Sequence, residues 1–148
     1  KVLKGVHTIA FESAYGYDIQ GFFFAEQKKE FTQLSATDNE GVYGDKFTVT
    51  PDAVTGIGNN VFFEFGTFDF TEETPSQVVI TGKSDLPVNS IHLMVKGDIE
   101  TRYTLEFAGA KEYTERVFPI EGLKGKCQIS FVFLPGSDFD FKAFRFVK

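Results

Sequence analysis

Any chemistry in this chain has to come from a short stock of side chains: two histidines, His7 and His92, and one cysteine, Cys127, in 148 residues. One thiol makes no internal disulfide and cannot by itself build a zinc site. In Lys126-Cys127-Gln128-Ile129-Ser130-Phe131-Val132-Phe133 it shares parity with Ile129, Phe131 and Phe133, so it reads as a small apolar core residue. Nothing matches HExxH, a nucleophile elbow or a phosphate loop, and Gly56-Ile57-Gly58-Asn59-Asn60 lacks the third glycine and the helix of a dinucleotide site. Asp138 with Asp140, or Glu112 with Glu115, could pair as acid and base, but among 21 acidic residues such neighbours arise by chance. Catalysis therefore has no visible machinery. Binding has more. The apolar face of a pyranose stacks on an aromatic ring while its hydroxyls need directed donors and acceptors. Tyr43 and Tyr113, in polar, loop-like surroundings, are candidate platforms; Asn59, Asn60 and Asp138 are candidate hydroxyl contacts.

Bulk properties narrow the partners. A net charge of -6 repels a phosphate backbone or an anionic lipid surface, and no cluster of Lys and Arg offsets it. Nucleic acid and membrane are thus not expected partners. No stretch approaches the roughly 20 apolar residues that span a bilayer. The first residues lack the pattern of a secretory signal and begin abruptly, like a piece cut from a longer chain. The expected organisation is one domain over residues 1–148. Compartment stays open, cytoplasmic or secreted with a parent protein.

Whatever binds must be positioned by strands, because period-2 alternation recurs and helical periodicity hardly appears. Val61, Phe63 and Phe65 point one way while Phe62 and Glu64 point the other, and Gly66 interrupts the run before Phe68 and Phe70. Ile91, Leu93 and Val95 form one face of a strand with His92 on its outward side; Tyr103, Leu105 and Phe107 form another. Residues 25–34, AEQKKEFTQL, are the one place where a helical turn competes. Turn signals such as Tyr43-Gly44-Asp45, Thr50-Pro51-Asp52 and Pro135-Gly136-Ser137-Asp138 separate the runs. This rhythm is that of an all-β antiparallel sandwich or jelly roll. Its expected core includes Phe63, Phe65, Leu93, Val95, Leu105, Ile129, Phe131 and Phe133. Near the end, Phe139 and Phe141 face opposite to Asp138, Asp140 and Lys142, and Phe144 and Phe146 follow after a one-residue shift, as a bulge produces.

Four stretches in order, VTGIGNNVFFEFGTFDF (54–70), SIHLMV (90–95), EYTERVFPIEGLKGK (112–126) and FVFLPGSDFDFKAFRF (131–146), carry a resemblance over nearly the whole chain. They resemble the family 6 carbohydrate-binding modules, and more closely the family-6-like domain at the C-terminal end of some bacterial family 2 glycoside hydrolases of β-galactosidase type. The resemblance implies a sandwich of the galactose-binding-domain type without its own catalysis, attached to a hydrolase that supplies the active site, with a carbohydrate such as a galactoside or plant polysaccharide as partner. It also implies departures. The family's first cleft aromatic falls on Gly56, the second near Tyr113, and the cleft Asn close to Ser137 or Asp138, so that Tyr43 would have to replace the missing wall. The family's structural calcium takes acids from the first and last strands. Here the first strand keeps only Glu12 and the last has Lys142, so no cofactor is expected, and Glu12 pairs with Lys142 instead. Glu12 and Asp140 are the ligands left if a cation is held. The competing expectation is a structural domain that docks on its parent enzyme and binds no sugar, favoured by the absence of Trp and by Gly56.

Overall fold

A computed structural model of the chain describes residues 29–148. Two short 3-10 turns, Lys29–Phe31 and Ala36–Asp38, are the helical structure among them, so the expected turn near 25–34 is present from Lys29 onward. Ser35 caps the second turn in a capping box with Asp38. The rest is strand: β1 (Leu34–Ser35), β2 (Gly41–Tyr43), β3 (Thr48–Val49), β4 (Val54–Ile57), β5 (Val61–Phe70), β6 (Gln77–Lys96), β7 (Glu100–Pro119), β8 (Gly125–Phe133) and β9 (Phe139–Val147).

All pairings are antiparallel, in the order β2-β5-β8-β6-β9-β4-β3, with β7 along β6 and β1 on β9. The sheet folds over into two layers because β6 serves two neighbours. Its second half, Ile91 to Lys96, pairs with β8, and its first half, Gln77 to Lys83, pairs with β9. Between them the register with β7 shifts at Gly82/Ser84 and again at Ser84/Val88. Pro87 falls in that irregular stretch, where a missing N–H breaks no regular ladder. One layer is thus β2, β5, β8 and the second half of β6; the other is β9, β4, β3 and the first half of β6.

Phenylalanine fills the space between the layers. Phe63 and Phe65 of β5 and Phe131 of β8 meet Phe141 and Phe144 of β9 with ring centroids 4.7 to 6.3 Å apart, mostly edge to face. That geometry brings the positive edge of one ring to the negative face of the next. The eight expected core residues are all buried, and Cys127 joins them.

The closing stretch behaves as its alternation requires. Phe139 and Phe141 are buried, Asp140 and Lys142 lie on the other face, and Ala143 pairs with Thr81 while Phe141 pairs with the adjacent Gly82. Lys142 is therefore the extra residue of a bulge, and the shift it introduces lets both Ala143 and Phe144 be buried. Two expectations change. Gly66 does not end a strand: β5 runs on to Phe70, and Gly66 sits at φ +70° in a bulge between Glu64 and Thr67. Tyr113 is not in a loop, since β7 continues through it to Pro119.

Candidate functional site

The sequence-predicted contact residues fall in two places. The first is the outer face of the layer that contains β5. Pairing register aligns Tyr43, Phe62, Val132, His92 and Thr104 side by side across β2, β5, β8, β6 and β7. At about 4.8 Å per strand the row spans about 19 Å. Tyr43 is 56% exposed, and its ring centroid lies 6.4 Å from that of Phe62 with the planes inclined by 34°. Together the two rings make an apolar shelf at one end of the row. Around it the face is largely polar: Glu64, Ser130 and Arg102 stand in the neighbouring row with the apolar Met94, and Ser90 Oγ donates to Glu106 at 2.9 Å.

His92 sits in this face without a full charge at neutral pH. Burial lowers its pKa below 6.5, Arg102 lowers it further, and Glu106 opposes them. A neutral imidazole offers one donor and one acceptor. Asn60 heads β5 in the left-handed region, φ 55°, which Asn tolerates better than most residues because a short amide side chain can bond locally. Asn59 is committed to structure, since its Oδ1 accepts from Gly136 N at 2.6 Å and ties the turn before β5 to the loop before β9.

The second place is the opposite layer, where β7 and β9 approach through β6. Lys83 Nζ lies 5.1 Å from the Tyr113 ring centroid and Lys142 Nζ lies 4.9 Å from it. Asp140 accepts from Gly56 N at 2.8 Å through Oδ1 and pairs with Lys83 at 3.4 Å through Oδ2. Burial, then the Asp140 charge, raises the Tyr113 phenol above its ordinary value. The acid that joins Tyr113 and Gly56 is thus Asp140. Asp138, the sequence-predicted residue, instead lines an adjoining cleft of about 150 Å³ with Lys83, Ser84, Ala110 and Asp140. A buried network holds that cleft in shape. Asn89, 2% exposed, accepts from Asp138 N at 3.0 Å and donates to Ser84 Oγ at 2.8 Å, while Ser84 Oγ donates to Asp138 O at 2.6 Å.

The donor set at Asp140 suits an ammonium rather than a divalent cation. Its carboxylate is already held by Gly56 N and Lys83, and Lys142 stands two residues on, reaching Asp52 at 4.0 Å. Among the described residues no group of three or more His, Cys, Asp and Glu could hold a metal. Glu12, with its expected pairing to Lys142, lies outside the described residues, as does His7.

Tyr43 and Asn60 therefore share one end of the open face, Tyr113 and Asp138 belong to the other layer, and Asn59 serves the loops. Phe62 and His92 are the face residues that sequence reasoning left out of the site. Alternation puts both outward, yet only the pairing between strands distant in sequence shows that they stand in one row with Tyr43.

No protein-family model and no curated protein matches the sequence. Solved structures do match the fold. A family 6 module from Clostridium stercorarium in complex with cellobiose superposes with a TM-score of 0.68 at 18% identity, over 84% of this chain and 99% of that one. A β-1,3-glucan-binding family 6 module from Bacillus halodurans gives 0.69 at 16%, over 83% and 100%. A family 43 arabinoxylan arabinofuranohydrolase from Bacillus subtilis, solved in complex with cellotetraose, gives 0.65 at 20%, over 86% of this chain and 29% of the enzyme. At these identities the likeness establishes architecture: the chain has the β-sandwich fold of the family 6 carbohydrate-binding modules.

Proposed function

We propose that the chain is a non-catalytic carbohydrate-binding module that stacks a sugar on Tyr43 and Phe62. The observation that carries this reading is the two-ring shelf of Tyr43 and Phe62, with the Tyr43 ring 56% exposed, on a largely polar strand face. Asn60, at the head of β5, and His92, further along the row, are the residues we assign to the sugar's hydroxyls. Tyr113 is the weaker platform, because a sugar stacking there competes with two ammonium groups already directed at its ring. The fold's occurrence in modules solved with cellobiose and in one that binds β-1,3-glucan supports a saccharide ligand here.

Its occurrence within a family 43 hydrolase supports a place beside a catalytic domain, with residues 1–148 as one module. The sequence resemblance points to a β-galactosidase-type glycoside hydrolase as that parent. An open shelf recovers little of the cost of association, so Kd on the order of 0.1 to 1 mM is expected.

The test is calorimetric titration of the 148-residue chain with cello-, xylo- and β-1,3-gluco-oligosaccharides and with galactosides, repeated on Tyr43→Ala and Tyr113→Ala. Loss of binding in the first variant and its retention in the second is the expected result. The converse pattern moves the site to the β7 side, and no binding by the unmodified chain refutes the reading.

A further inference from the structure

Tyr43 owes its attitude on the face to a residue with no side chain. Gly41 and Tyr43 are two apart on β2, so both point to the outer face; their partners on β5 are Glu64 and Phe62. The backbone of Gly41 is not among the positive-φ glycines, whereas Gly44, just past Tyr43, is at φ +143°. Gly44 thus answers a turn, and Gly41 has no conformational reason to be glycine. What it provides is room. A Cβ at Gly41 would lie 2.8 Å from the Tyr43 ring carbons Cε2 and Cζ and closer still to Oη. Contacts below 3.0 Å are essentially never seen for a real Cβ, so the Tyr43 ring lies back along β2 over the bare Cα of Gly41.

We infer that Gly41 is a positioning residue for sugar binding: it lets the Tyr43 ring recline along the strand and hold one face outward as a fixed platform beside Phe62. The inference rests on the carbohydrate reading for its function and on the packing alone for its geometry. A tyrosine free to stand up from a strand turns about two side-chain bonds and loses that freedom when a sugar arrives. A ring already bedded on the backbone has lost it in advance, which is how preorganisation raises affinity. Phe62, at 6.4 Å, limits the ring from the β5 side. The specificity consequence is that the platform takes a flat sugar face parallel to the sheet.

The substitution that tests this is Gly41→Ala. The atoms a new methyl meets are the far end of a mobile side chain rather than backbone, so the ring yields and the strand stays. Replacing Gly within a strand by Ala otherwise favours the strand, so the melting temperature is expected to hold or rise. Two readouts then separate geometry from function. In the unmodified chain the Gly41 Hα resonances are expected to be shifted upfield by the Tyr43 ring current, and Tyr43→Ala removes the shift. Without that shift the seat does not exist and the inference falls.

In titration with whichever oligosaccharide binds most tightly, Gly41→Ala is expected to weaken binding about tenfold, equivalent to about 1.4 kcal/mol. It should add nothing in a chain that already carries Tyr43→Ala, whereas Tyr43→Phe keeps most of the affinity. Unchanged affinity in a folded Gly41→Ala chain overturns the positioning role. If the unmodified chain binds no saccharide, the carbohydrate reading fails with the positioning role, and the ring-current shift alone decides the packing.

Discussion

Burial treats two titratable side chains of this molecule differently. Cys127 is 3% exposed on the core side of β8, and burial, with a lesser contribution from Asp69, pushes its thiol up to about 11. At pH 8 almost no thiolate is present, and what forms is screened from solvent. A disulfide reagent such as DTNB is expected to label the native chain far more slowly than the chain in guanidinium chloride; equal rates would place Cys127 at the surface. His92 titrates in the opposite sense. Its folded pKa lies below 6.5, so across that window the folded chain binds fewer protons than the unfolded one. The stability it contributes is present above about pH 6.5 and is lost as pH falls through the folded value. His92→Gln is therefore expected to flatten the fall in urea midpoint between about pH 7 and pH 5. An unaltered profile would assign that fall to other groups.

At the scale of the strand, polar groups matter through what they are left without. Asn89→Leu leaves Asp138 N and Ser84 Oγ each short of a partner at the crossing of β6. It is expected to cost about 1–3 kcal/mol in urea denaturation. Faster amide exchange over residues 134–138 should accompany the loss. The two-point Arg145–Glu115 pair, by contrast, joins half-exposed side chains and lowers the Glu115 pKa mainly through its hydrogen bond, so Glu115→Gln should cost no more than about 1 kcal/mol.

The same crossing shows where sequence reasoning stopped. Ile91, Leu93 and Val95 declared half of β6, because one register and one core face govern them. Residues 82–89 carry no such alternation, since Gly82, Asp85, Pro87 and Asn89 are what a strand needs when it bends and slips register on its way between layers. Tyr113 was lost to a loop for a related reason: Lys111, Glu112 and Tyr113 are not buried and fall in the register slip between Ala110 and Thr114, so apolar alternation fades although β7 itself runs on. The site suffered most, because a row built from five strands is a fact of pairing between distant segments, and local periodicity carries no record of it.

For the molecule as a whole, the Phe131 ring touches both layers, meeting Phe65 on its own side and Phe141 and Phe144 across the interior. Phe131→Ala is expected to cost about 3–5 kcal/mol, read from denaturant unfolding, because the space it leaves is bounded by rings that cannot all collapse into it. The β6–β7 pair has a mechanical meaning as well. In a sandwich whose faces touched only through side chains, a tug on one face would work against dispersion contacts alone. Here both faces hang on the same two covalent backbones, so a pull on the Tyr43 face passes along β6 into the other layer as tension in the chain. The two layers cannot peel apart without first breaking the ladders of β6. The amides of its two doubly paired halves, within Gln77 to Thr81 and Ile91 to Lys96, should therefore exchange only when the entire molecule unfolds, while those of β2 and β3, short strands at the two ends of the strand order, exchange through small local openings.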